Sequence, residues 1–387
     1  MKKTLVMIGG GVQQINAVQS AQEFGYLVLV TDRSESAPCF KYADYIGVID
    51  GRNIEALISY LSLRKEELNI VGIFTLTEMV TSVAAVASAL NLPSVPLISA
   101  VNCQNKQLSK KCWEILNIST PYGKVIKNEQ EGVNFLDKIN KNAFIKPTVG
   151  FGSLGARQIS SKEDLKNVDF KSKEYLIEEY INGSMHDVNG VFNKNEEFIP
   201  LGCFDRIFDK KNMIEKSAIY PSQLSESLIE KAYKLTETAA KALGIKWGPV
   251  KSDLVLFKNE FLCLELACRL HGPKGTILLS SMVDHQNHLQ RTLDIISGKT
   301  NELEKNIFKE EFASYEIIPH PGYPFQKITG IKKIEDKGYK VLILNKKSNT
   351  NIYCNNTDII GYIFGKNQCI KKLKTNLKSM IKYLNFI

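Results

Sequence analysis

Histidine and tryptophan are scarce in this chain of 387 residues, with five and two copies. Its eight cysteines never form a C-x-x-C pair, and no histidines stand at zinc-site spacing, which excludes the common structural zinc sites. Cys203 and Cys263 lie inside apolar runs, where a free thiol acts as a small hydrophobe. That usage fits a reducing compartment rather than a disulfide scaffold. No apolar run approaches the ~20 residues needed to span a bilayer. The apolar start after Met1-Lys2-Lys3 stops at Gly9, too early for a secretory signal. The expected setting is the cytoplasm, with no membrane. Internal repeats and low-complexity segments are also missing.

The composition is ordinary for a globular protein, with 44% hydrophobic and 24% charged residues. The length suits two or three domains. The net charge is +9. Lys366, Lys371, Lys372, Lys374, Lys378 and Lys382 all follow the last acid, Asp358. This block reads as the solvated face of a C-terminal helix. It contains no arginine and no nucleic-acid motif, so no nucleic-acid partner is expected, whereas an anionic small substrate suits the charge.

Along the chain, Thr4 to Ile8 reads as a buried parallel strand, Gly9-Gly10-Gly11 as a tight turn, and Val12 to Phe24 as a helix closed by Gly25. Leu27 to Val30 is the next strand and leads to Asp32. A glycine turn and an acid about twenty residues on allow a dinucleotide site, but Gln14 stands where the fingerprint wants a small residue. Strands follow at Tyr45 to Val48 and Ile70 to Phe74, with a helix between them. Glu78 then lies beyond a strand's carboxyl end, where open α/β sheets bind ligands. It suits a substrate ammonium or hydroxyl, or simply a helix N-terminus. A first boundary is placed near Ser99.

Asn105-Lys106 opens a helix running to Leu116. Ala143 to Pro147 is a strand carrying Lys146, followed by a loop with Gly150, Gly152, Ser153 and Gly155. Exposed N–H groups in such a loop can cradle phosphate, although a lysine ahead of the glycines is not a Walker A arrangement. Tyr175 to Ile181 reads as a strand closed by Asn182-Gly183. Glu226 to Leu243 reads as an amphipathic helix, and another helix is expected from about Thr276. Arg206, after an apolar run, is a candidate for holding a substrate carboxylate or for a surface salt bridge.

The most informative stretch is Asp253 to Arg269. Two apolar runs flank Lys258-Asn259-Glu260 and predict an antiparallel hairpin. With the turn centred on Asn259, Phe257 faces Phe261, Val255 faces Cys263, and Asp253 faces Glu265. Opposed carboxylates repel unless a hard divalent cation sits between them, the alternative being an acidic end turned to water. Alternation places Lys251, Ala267 and Arg269 on the same face.

In this order and spacing, the motifs resemble the ATP-grasp superfamily over nearly the whole chain. The resemblance implies an α/β fold, α+β in part. A Rossmann-like pre-ATP-grasp domain (1–99) would precede the small lobe (100–182) and large lobe (183–305) of an ATP-grasp domain and a C-terminal module (306–387). It implies ATP and Mg²⁺ (or Mn²⁺) as cofactors. Lys106 and Lys146 would hold phosphates, with Gly152 and Ser153 in the loop above them. Glu178, Glu179, Tyr180 and Ile181 would be the hinge, whose Glu178 carbonyl and Ile181 amide read adenine. Asp253 and Glu265 would be the metal ligands, and Arg269 would steady the transferred phosphoryl group. Ala267 replaces the asparagine of the usual E-x-N-x-R pattern, as the branch resembling bacterial amino-acid ligases tolerates. Met185 stands where a ribose-binding glutamate is common, leaving ribose to His186 or Asp187.

The activity so implied joins a small-molecule carboxylate to an amine through an acyl phosphate. Glu78, Arg206, His271 and Gly272 would be at or near the substrates, and a homodimer is left open. The competing readings are a bicarbonate-using carboxylase of purine-biosynthetic type, a nicotinamide oxidoreductase using the Gly9–Gly11 turn, and a non-catalytic nucleotide sensor.

Overall fold

The structure is a computed structural model that describes residues 2–150, 154–209, 214–272, 274–300, 311–349 and 359–387. The first segment is a parallel α/β layer. Strands β1 (Thr4–Ile8), β2 (Leu27–Asp32), β3 (Tyr45–Val48) and β4 (Ile70–Phe74) lie in the order β3-β2-β1-β4. Helices α1 (Ile15–Glu23), α2 (Ile54–Ser62) and α3 (Val80–Ala89) connect or follow them. The expected first helix begins one turn late, because Val12–Gln14 form a 3-10 turn. Gly25 closes it with φ +95°, a conformation that suits glycine. Asp32 is used by the glycine turn itself. Its carboxylate accepts from Gly10 N–H at 2.8 Å and Ser34 N–H at 2.9 Å.

Helices α4 (Leu97–Gln104) and α5 (Lys106–Ile115) follow. The Asn105 side chain caps α5 by accepting from the Gln107 and Leu108 amides. A small antiparallel sheet, in the order β5-β8-β6-β7, comes next. It contains β5 (Gly123–Ile126), β6 (Ala143–Pro147), β7 (Arg157–Ile159) and β8 (Tyr175–Glu179), with α6 (Glu129–Ile139) between the first two.

The rest is built on one eight-stranded antiparallel sheet. It starts with β9 (Ser184–Phe192), β10 (Phe198–Phe208) and β11 (Glu215–Tyr220), then β12 (Gly248–Phe257) and β13 (Glu260–Ala267) after helix α7 (Glu226–Ala242). The helix expected from Thr276 is instead a π-helical turn, Lys274–Leu279, continued by the short α8 (Ser280–Val283), and α9 (His288–Ile296) follows. Strand β14 (Phe312–Ile318) pairs with β11, so the C-terminal segment extends the same sheet. Beyond it lie β15 (Ile328–Thr329), α10 (Ile331–Glu335), β16 (Lys340–Ile343), β17 (Gly361–Asn367), α11 (Ile370–Met380) and β18 (Asn385–Phe386). The sheet order is β13-β12-β9-β10-β11-β14-β17-β16, and β15 pairs with β18.

Two apolar contacts position the site. Leu5, Met7, Val28 and Val30 of the parallel layer share a core with Leu201, Leu289, Leu293 and Ile296. Trp113 on α5 is buried among Ala232, Ala239 and Leu243 of the α7 region and donates its indole N–H to the Ala239 carbonyl at 3.1 Å. The parallel layer and the large sheet therefore meet on a continuous apolar surface.

The hairpin differs from expectation near its turn. The connection has two residues, Lys258 and Asn259, with φ of 51° and 63°, as a type I′ turn requires. Phe257 therefore pairs with Glu260 and Val255 with Leu262, rather than with Phe261 and Cys263. A β-bulge between Asp253 and Leu254 then shifts the ladder by one residue and restores Asp253 opposite Glu265.

Gly183 joins the small sheet to β9 where the backbones approach closely. A Cβ there would lie 2.2 Å from the Leu256 carbonyl oxygen and 2.7 Å from Val255 Cγ2. Gly183→Ala is expected to cost about 1–3 kcal/mol by forcing β9 from β12. Urea denaturation should show a lowered midpoint at unchanged slope.

Candidate functional site

A cavity of about 660 Å³ opens between the two sheets and the parallel layer. Its lining includes Lys106, Lys146, the hinge from Glu178 to Ile181, Asp253, Glu265 and Arg269, together with Glu78 and Arg206. The structure thus brings most of the expected site residues to one place. Gly152 and Ser153 lie outside the described residues.

Strand alternation decides which side chains reach the cavity. On β9, Met185 faces it, with Asp187 buried just behind. Their partners across the ladders are Val255 and Asp253 on β12, and Arg206 opposite Met185 on β10. His186 points to the other face, so its expected place at the nucleotide ribose is corrected. Its ring is held by the Ser184 hydroxyl at 2.7 Å and the Asp205 carboxylate at 3.0 Å. His271 and Gly272 do not line the cavity either. His271 is buried behind Asp187, with Nε2 3.5 Å from its carboxylate, and Gly272 accepts backbone bonds from Gly275 and Thr276.

The segment expected to form the hinge is anchored by charge. Glu178 on β8 is buried with Lys110 Nζ at 2.6 Å and Lys146 Nζ at 2.7 Å, all three side chains being at most 9% exposed. Burial works against the Glu178 charge, yet the two lysines hold its pKa below the usual carboxylate value. Burial likewise opposes Lys146, but Glu178 and Glu265 outweigh it and hold it above the ordinary lysine value. For Lys110 burial prevails over Glu178 and lowers the pKa. Lys110 was not anticipated from sequence. Its spacing of four from Lys106 places both on one face of α5, which was the available signal.

The Glu178 backbone is committed as well. It pairs with Phe144, and two residues on Tyr180 N–H donates to the Asn142 carbonyl at 2.9 Å. This register turns the Glu178 carbonyl into the ladder, so the expected adenine contact from that carbonyl does not fit. At Glu179 the Tyr122 amide is taken by the side-chain carboxylate, at 3.1 Å.

Asp253 and Glu265 stand opposite each other at the cavity floor. Lys251 pairs with Asp253, and Lys106 Nζ lies 3.3 Å from Glu265. Burial opposes the Asp253 charge, but Lys251 and neighbouring donors hold its pKa well below the usual range. Asp187 is different. Burial raises its pKa to about 8 despite the pull of Arg206 and Lys251. Two hard carboxylates facing one cavity fit Mg²⁺, which binds through one or two carboxylates plus substrate phosphates. The described residues include no cluster of three or more His, Cys, Asp or Glu suited to a metal.

Arg269 contacts Glu78 at 2.5 Å, joining the parallel layer to the large sheet. Its Nε is buried without a partner among the described residues, leaving a donor free. Arg206 is not at the surface. It grips Glu215 at 2.7 and 2.8 Å, bonds Asp187, and approaches Asp253 at 3.9 Å.

Comparison with known proteins agrees with this geometry. Residues 139–276 match the ATP-grasp domain family. That stretch is an ATP-grasp domain. It is 23% identical over 355 residues to a formate-dependent phosphoribosylglycinamide formyltransferase of Prochlorococcus marinus, covering 89% of this chain and 88% of that one. It is also 23% identical over 235 residues to the uncharacterized protein y4rH of Sinorhizobium fredii, covering 58% of this chain and about half (48%) of that protein. In fold it is similar to an L-amino acid ligase from Bacillus licheniformis, with a TM-score of 0.83, 20% identity and coverage of 100% and 98%. The nicotinamide reading finds no support, since Asp32 is consumed by its own turn.

Glu178→Gln is expected to destabilise this ATP-grasp protein by about 3–5 kcal/mol, because two buried lysines lose their counter-charge. The folded pKa of Glu178 lies below its ordinary value of about 4.5. Its contribution is therefore complete above that value and disappears as pH falls through the folded pKa. Denaturant unfolding across pH 3–7 should show stability falling below about pH 4.5 in the wild type, and a shallower fall in Glu178→Gln.

Proposed function

We propose that the protein is an ATP-dependent carboxylate–amine ligase that forms a C–N bond through an acyl phosphate. One observation carries this reading. Asp253 and Glu265 face each other on the cavity that also holds Lys106, Lys146 and Arg269. Opposed acids ringed by fixed cations suit a metal-bound polyphosphate rather than a neutral ligand.

In this reading adenine lies at the apolar end, among Phe144, Leu154, Met185 and Leu264. The Glu179 carbonyl and the Ile181 amide read its edge. Lys106 and Lys146 neutralise phosphate oxygens. Mg²⁺, when bound to Asp253 and Glu265, supplies further charge for the transferred group. The substrate carboxylate attacks the γ-phosphorus and ADP leaves. Arg269 turns from Glu78 to the phosphoryl oxygens, where its unpaired Nε is an available donor. The amine then attacks the acyl carbon, the C–O bond to phosphate breaks, and phosphate departs with the proton the amine loses. Little covalent work falls to the protein, whose task is positioning and charge stabilisation.

Phosphate release from ATP and Mg²⁺ should require a carboxylate pool and an amine pool together. Formate and bicarbonate are tested separately, and release that needs bicarbonate identifies the carboxylase reading. Glu265→Gln should lower release about a hundredfold or more with an unchanged circular-dichroism spectrum. Turnover retained in that variant would remove Glu265 from the metal site.

A further inference from the structure

Beyond Arg269 the cavity continues into a recess formed by Arg206, Phe208, Glu215, Lys274, Leu344 and Tyr362. Lys274 opens the π-helical turn, whose residues Gly275 to Leu279 are all buried. Such turns are rare and recur at functional sites. The Lys274 ammonium lies 3.1 Å from Glu215 Oε2 and sits 5.1 and 4.6 Å from the ring centroids of Tyr315 and Tyr362. An ammonium has three donors, of which Glu215 takes one, and Lys274 lines the cavity.

Glu215 is the group that would receive a substrate ammonium here, but its capacity is taken. It accepts twice from Arg206, once from Lys274 and once from the Tyr315 hydroxyl. A carboxylate offers about four lone-pair sites. A substrate cation would find no acceptor and would meet Arg206 and Lys274. An anion would meet Lys274, whose one carboxylate partner is the shared Glu215, beside Arg206, which also bonds Asp187.

We propose that Lys274 is a specificity-determining residue that holds a second anionic group, a carboxylate or a phosphate, on the carboxylate substrate. Phe208, Leu344 and Tyr362 pack along the segment joining the two groups. The recess adjoins the acid pair through Arg206, 3.9 Å from Asp253, so a donor bridging the two keeps its reacting carboxylate at the phosphoryl site. This inference rests on the ligase reading.

The test measures phosphate release with ATP, Mg²⁺ and a fixed pool of small amines that carry no carboxyl group. Donors are supplied singly. Acetate, propionate and alanine form one arm, succinate and glutarate a second, and phosphonoacetate and 3-phosphonopropionate a third. In the wild type kcat/KM should be about ten- to hundredfold higher in the second or third arm than in the first. The winning arm identifies the anion. Lys274→Met should bring that ratio close to one, while Lys274→Arg retains part of it. A wild-type preference for the first arm overturns the proposal and leaves the ligase reading standing. A folded Lys274→Met that keeps the preference also overturns it. Release with no donor at all, despite ATP binding, removes the ligase reading and this one with it. The wild-type ranking decides even where Lys274→Met does not fold.

Discussion

Buried charge needs counter-charge, and the Glu178 carboxylate between Lys110 and Lys146 is where this chain meets that need most deeply. Each member comes from a different element: α5, β6 and β8. Removing one partner of a buried pair costs far more than the pair contributes, because the other charge is left desolvated. The triad therefore works as a constraint on geometry. It fixes α5, and with it Lys106, against the small sheet. It also fixes the β8 end from which the hinge departs.

Lys146 also links that sheet to the hairpin that carries Asp253 and Glu265. The register set by the Lys258-Asn259 turn, continued unbroken, would place Asp253 opposite Leu264. The bulge inserts one residue and brings Glu265 into line instead. A bulge leaves backbone groups outside the ladder, and the Leu264 carbonyl accepts from Lys146 Nζ at 2.9 Å. The device that aligns the two acids is thus tied to the triad. Its cost in unpaired backbone is met by a side chain the site already requires.

How much of this was legible in the sequence depends on the range of the interaction. The strands and helices of the parallel layer follow from local periodicity and glycine punctuation, and they stand where the pattern puts them apart from the late start of α1. The facing of Asp253 and Glu265 was also legible, although by a turn of the wrong length that the bulge compensates. His186 was misplaced because adjacency to a motif says nothing about which sheet face a residue takes. The period-2 alternation of β9, counted from Met185, would have turned it away. Lys110 shows only its spacing of four from Lys106, and Glu215 and Lys274 carry no local signature. Their partners are 68, 100 and 59 residues distant, as Glu178, Tyr315 and Lys274 are from Lys110, Glu215 and Glu215 respectively. Only the assembled sheet brings them together.

The pairing pattern also explains how so many charges are held around one cavity. Lys106 rests on Glu265, Lys251 on Asp253, and Arg269 on Glu78. Each acid has a basic neighbour, so the floor is close to neutral within itself. A phosphate arriving alone would compete with Glu265 for Lys106 and leave that carboxylate exposed to Asp253. A cation arriving alone would leave Lys106 and Lys251 facing it. When both arrive together, the acids turn to the cation and the bases turn to the phosphates. Asp253 and Glu265 then exchange a lysine for the cation, and the lysines exchange a carboxylate for a phosphate oxygen, each partner keeping its sign. In the ligase reading these ion pairs stand where the ligands would pair, which favours a nucleotide that brings its metal.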